Sequence, residues 1–95
     1  MTLRFHPAAQ DELIESVLYY EAARTGLGVT FRDAVRAVLD RILAHPEIGE
    51  LRLGTRRVIV AGFPYDLVYR VMAPDIEVLA VAHNRRRPGY WQRRA

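Results

Sequence analysis

The chain has 95 residues, 51% apolar and 26% charged, a composition that excludes disorder and leaves no room for a second independent core. It has no cysteine, which excludes disulfides and thiolate metal sites. All 14 basic residues are arginine against 11 acids, and the net charge of +3 suits a polyanion or an acidic protein partner.

The N-terminal stretch lacks the apolar run of a signal peptide, and no segment approaches a membrane span, so the expected location is the cytoplasm. Residues 1–95 are read as a single domain.

Residues 2–5, TLRF, are β-prone and predict a brief first strand. Pro7 suits the first turn of a helix, where its missing N–H costs nothing. Ala9, Leu13, Val17 and Tyr20 then recur at helical spacing, with Ile14 and Leu18 expected to widen the apolar stripe. Asp11, Glu12 and Glu15 fall in the early turns, where carboxylates favour the helix dipole.

RTGLG (24–28) breaks that pattern. A second stripe follows at Phe31, Val35, Val38 and Ile42, with Ala34, Leu39 and Leu43 beside it, until Pro46 ends it. So short a connection predicts an antiparallel helical hairpin, closed at its far end by His45.

The period then changes. RRVIVAGF (56–63), YDLVYRVM (65–72) and IEVLAVAH (76–83) read as three strands joined by tight turns. The last is apolar at nearly every position and belongs mid-sheet. The expected architecture is α+β, in the order β-α-α-β-β-β, with the helical hairpin packed on an antiparallel sheet.

No metal or cofactor site is expected: His6, His45 and His83 are far apart, and no phosphate-binding glycine loop or nucleophile signature is present. Arg56 and Arg57 should project to opposite faces of their strand. Arg70 projects from an apolar strand with Asp66 on its face as the expected ion-pair partner. After Glu77 there is no acid, while Arg85, Arg86, Arg87, Arg93 and Arg94 follow. Between them Pro88-Gly89 can turn Tyr90 and Trp91 back on the core, or the pair can stack on bases. Arg93 and Arg94 are expected to form a loose tail.

YYEA, GLG, FPYDLVYRV and VLAVAHNRRRPGYW together resemble the RelE/ParE superfamily, the toxins of bacterial type II toxin–antitoxin systems, also called plasmid stabilisation proteins. The resemblance runs from about Phe5 to Arg93. It implies a growth-arresting toxin neutralised by an antitoxin whose acidic C-terminal segment folds against it. RelE-like members cut mRNA in the ribosome with basic residues on the open sheet face and a C-terminal arginine and tyrosine. ParE-like members poison DNA gyrase.

On an RNase reading the candidates are Arg56, Arg57, His83, Arg85 and Tyr90. The ribonucleases, however, carry an arginine where this chain has Asp66, and a carboxylate there repels phosphate. Arginine is also a poor proton donor or acceptor, and no lysine is present. The reading preferred is therefore ParE-like, with Arg85, Arg86, Arg87, Tyr90, Trp91 and Arg93 meeting the target. A ribosome-dependent endoribonuclease is the alternative, and a binding module with no toxicity is the second.

Overall fold

The first helix begins where the sequence interrupts a strand with His6-Pro7. The His6 Nδ1 accepts a hydrogen bond from the Ala8 N–H at 3.1 Å, and Pro7 opens the helix at N1. In the computed structural model, which describes residues 1–95, the order is β1 (Thr2–Phe5), α1 (Pro7–Ala23), α2 (Leu27–Ala44), β2 (Glu50–Arg52), β3 (Thr55–Ile59), β4 (Tyr65–Met72) and β5 (Asp75–His83). A single 3₁₀ turn, Gln92–Arg94, follows. No helix is long and apolar enough to cross a membrane.

The GLG stretch works in two ways. Gly26 takes a left-handed conformation (φ 89°) as the N-cap of α2, and its N–H and that of Gly28 donate to the Glu21 carboxylate at 3.0 and 3.1 Å. Gly28 meets α1 so closely that a Cβ there would lie 2.6 Å from the Val17 carbonyl oxygen. The helices can cross here only because residue 28 has no side chain. At the other end the His45 N–H donates to the Arg41 carbonyl at 2.8 Å before Pro46 stops the helix.

Phe31, Val35, Val38 and Ile42 are buried as their spacing requires. Ala9 is buried too, with Leu13, Val17 and Tyr20 packed against the same core. Ile14 and Leu18 do not widen that stripe; they are exposed, at 50% and 63%. Each follows a core-facing residue by one position, about 100° round the helix, and the sheet covers a narrower arc than that. The first turn of α1 carries no acid, so its dipole is met by the His6 cap rather than by Asp11 or Glu12.

The five-stranded sheet runs β1-β5-β4-β3-β2. It is mixed: β1 lies parallel to β5, with Leu3 opposite Ile76 and Phe5 opposite Val78, while the other pairs are antiparallel. The strand expected over 56–63 stops at Ile59, and the short β2 adds an edge beyond it. Arg70 does not pair with Asp66. Its Nε and Nη2 reach Glu77 Oε1 at 3.0 and 2.9 Å, because Glu77 lies directly across the ladder whereas Asp66 is four residues away along the same strand, about 13 Å at the usual rise.

β5 is interior and covered on both faces. Its pairing with β4 passes from Val68–Ala80 to Tyr69–Val78, leaving Leu79 as a bulge. Ile76, Val78 and Val81 face the helices, while Leu79, Ala80 and Ala82 join Val68 in a second cluster beneath Trp91. That two-sided burial is why β5 reads as an unbroken apolar run.

Candidate functional site

Past His83 the chain turns sharply. The Asn84 N–H donates to the Pro64 carbonyl, the Arg86 N–H to the His83 carbonyl, and the Arg85 N–H to His83 Nδ1 at 3.0 Å. His83 Nδ1 is thus an acceptor, held at a strand end with its ring edge-on to Tyr65 at 5.0 Å. Gly89 (φ 76°) then bends the chain back over the sheet face opposite the helices. Trp91, 8% exposed, packs on the second apolar cluster. The segment is folded, as the packable aromatic pair suggested.

What holds it is Glu12. One oxygen of its carboxylate accepts from the Val81 N–H at 3.1 Å and from Arg94 Nη1 at 2.9 Å. The other accepts from the Tyr90 hydroxyl at 2.8 Å and from Arg94 Nη2 at 3.0 Å. Arg94 Nη1 also donates to the Leu79 carbonyl at 2.9 Å. Arg86 completes the group, 3.7 Å from Glu12 Oε2 and 3.9 Å above the Tyr90 ring. The Glu12 and Arg94 side chains are only 11% and 17% exposed.

Burial, then the hydrogen bond to the Glu12 carboxylate, pushes the Tyr90 phenol well above its usual range, against the opposing pull of Arg86 and Arg94. The hydrogen bond to Glu12 likewise raises Arg94. Arg94 is therefore no part of a loose tail: a bidentate partner and a carbonyl fix it. Arg93 remains exposed.

Beside this clamp lies a shallow cleft on the open face, lined by Arg57, Asp66, His83, Arg86, Tyr90 and Trp91 among others. Of the candidate nuclease residues, Arg57, His83 and Tyr90 share it. Arg56 is on the opposite face, as alternation predicted, where its Nη1 donates to the Glu47 and Gly49 carbonyls at 3.1 and 2.9 Å. It ties down the loop after α2. Arg85 and Arg87 are exposed and lie outside the cleft lining. Asp66 also lines the cleft and adds a carboxylate that would repel a phosphate bound there.

Glu12 and Arg94 are the residues missed by reading along the chain. Glu12 follows buried Ala9 by three positions and precedes buried Ser16 by four, so it occupies the inward face of α1. An acid on an apolar helix face requires a partner, and that was the available signal.

A comparison with curated protein sequences returned no significant match. Among solved structures, the chain is similar to one from the chromosomal ParDE TA system of P. aeruginosa, at 17% identity and a TM-score of 0.65, over 87% of this chain and 95% of that one. It is also similar to a mutant of E. coli toxin RelE in the free state, at 23% identity and a TM-score of 0.66, over 88% and 83%. At those identities the likeness establishes the fold, and the fold is common to both. The family model described as the ParE toxin of the type II toxin–antitoxin system parDE matches residues 3–88. With a match over that much of its length, the chain belongs to the ParE toxin family.

Proposed function

We propose that this toxin arrests growth by binding and poisoning DNA gyrase in the cytoplasm, without chemistry of its own, and that a cognate antitoxin neutralises it. The observation that carries the reading is the clamp. The Tyr90 hydroxyl, which with His83 makes up the proton-transfer groups of the cleft, is committed to the Glu12 carboxylate at 2.8 Å, with its proton held more tightly than in a free phenol. Asp66 adds negative charge to the adjoining cleft. A binding surface tolerates both features; a site that must stabilise a cleaving phosphodiester tolerates neither.

The surface offered to the target comprises the exposed Arg85, Arg86, Arg87 and Arg93 with the half-buried Tyr90, while Trp91, buried beneath them, holds the segment in place. The same charge suits an acidic antitoxin segment that folds on contact.

Purified, antitoxin-free protein should inhibit gyrase supercoiling or trap cleaved DNA, and mRNA on translating ribosomes should stay intact at growth-arresting levels. Active protein that leaves supercoiling untouched would sink this reading. The endoribonuclease alternative draws on one observation, the meeting of Arg57, His83 and Tyr90 on one cleft. Cut mRNA in the ribosome assay would favour it.

A further inference from the structure

The turn between β2 and β3 contradicts both its backbone and its surroundings. Leu53 and Gly54 form a two-residue hairpin loop with φ values of 52° and 81°, a geometry that strongly favours asparagine or aspartate before the glycine. Leu53 is the only non-glycine residue with positive φ, and at 84% exposure it is also the most exposed large apolar side chain in the molecule. Nothing inside the fold is gained by leucine there: the backbone prefers another residue, and water does too. A lone exposed leucine is ordinary on a surface; one that also holds a strained backbone points to a role outside the monomer.

The surroundings give the partner's chemistry. Leu53 borders a hollow whose lining includes Arg52, Arg57, Gly89 and Trp91 and contains no acid. One carboxylate, Glu50, lies 3.3 Å from Arg52 and 3.8 Å from Arg57, so a positive charge remains over. The hollow also joins the hairpin tip to the C-terminal turn, the segment read above as facing the target.

We infer that the β2–β3 tip is an anchor: Leu53 inserts into an apolar pocket with an acidic rim on the protein target, while Arg52 and Arg57 meet the rim. This rests on the reading of the chain as a toxin that acts by binding a protein.

The test is Leu53→Asn, which suits the turn and removes the anchor. Thermal unfolding should show the variant as stable as the parent or slightly more so, while the soluble protein level needed to halve growth rate rises by about tenfold or more, the effect expected of an anchor residue. Leu53→Met should restore arrest. Reconstituted gyrase supplies the second readout, with the same ordering of the three proteins. Arrest by Leu53→Asn at the parent's level overturns the proposal. It also falls if arrest persists while the variant loses only self-association by sedimentation, or only capture by its co-expressed antitoxin. Arrest by the parent without gyrase inhibition overturns the choice of gyrase and leaves the Leu53 comparison, read on growth, intact.

Discussion

Glu12 and Arg94 stand 82 positions apart in sequence and meet in a two-toothed pair at 2.9 and 3.0 Å, with the Tyr90 hydroxyl and the Val81 N–H on the same carboxylate. One side chain of the first helix thus fixes the whole C-terminal segment against the sheet.

Replacing Glu12 with Gln keeps its size but removes the charge on which Arg94, Arg86 and Tyr90 converge. The expected loss is about 1–3 kcal/mol, the range for a charged hydrogen bond whose partners stay partly buried. For a chain of this size that lowers Tm by roughly 5–15 °C. Limited trypsin digestion should then cut after Arg85, Arg86 and Arg93 faster than in the parent, well below the unfolding temperature.

The pH dependence has a definite sign. Tyr90 is raised in the folded protein, so above the ordinary phenol value of 10.0 the unfolded chain loses its proton while the folded chain keeps it. The folded state then binds more protons, and stability falls as pH rises. The contribution is fully present below pH 10 and is lost through the alkaline range above it. Tyr20, raised chiefly by burial and then by the neighbouring Tyr65 and Tyr19, adds to the same fall. Urea midpoints from pH 8 to 11 should decline less steeply for Tyr90→Phe than for the parent; parallel curves would contradict the assignment.

The helical hairpin should fail at its glycine. Gly28→Ala puts a methyl group 2.6 Å from a backbone oxygen and 2.9 Å from the Glu21 Cβ, and backbone does not yield cheaply. A loss of about 1–3 kcal/mol is expected. Glu21→Ala, which removes the carboxylate that receives Gly26 and Gly28, should cost about 1 kcal/mol, as a lost helix cap does. The two residues touch, so the double variant should lose less than the sum. Chemical denaturation of the three variants checks this.

The loop after α2 depends on Tyr69. Its hydroxyl donates to the Pro46 carbonyl at 2.7 Å and accepts from the Gly49 N–H at 3.1 Å. Tyr69→Phe leaves both backbone groups wanting and should cost about 1–3 kcal/mol. Gly49→Ala should be at least as harmful, since the added carbon would lie 2.8 Å from Arg56 Cβ and 2.9 Å from the Tyr69 ring. Urea unfolding measures both.

The parts of this fold legible along the chain are those whose signals are local. Pro7, the GLG break and Pro46 bound the helices, and β4 and β5 declare themselves by β-branched and aromatic runs. β2 could not be read, because three exposed edge residues, ELR, carry no period. The parallel alignment of β1 with β5 and the Leu79 bulge follow from packing between distant segments, which no window of sequence contains. The site divides in the same way. Trp91 and Tyr90 announce a packed segment by composition. The clamp beneath them pairs residues from opposite ends, and Arg70 chose the acid across the ladder over the one along its own strand.

The placement of β1 also governs how the chain comes into being. Its partners are Asp75–Val78, and the carboxylate of α1 waits for residues 81, 90 and 94. During synthesis the first strand and the inward acid therefore emerge long before anything can satisfy them. A nascent chain stalled before residue 75 holds a helical hairpin with an orphan strand and an unpaired charge. A chain interrupted there lacks the partners its first strand and first helix require, so the fold closes only from its last quarter.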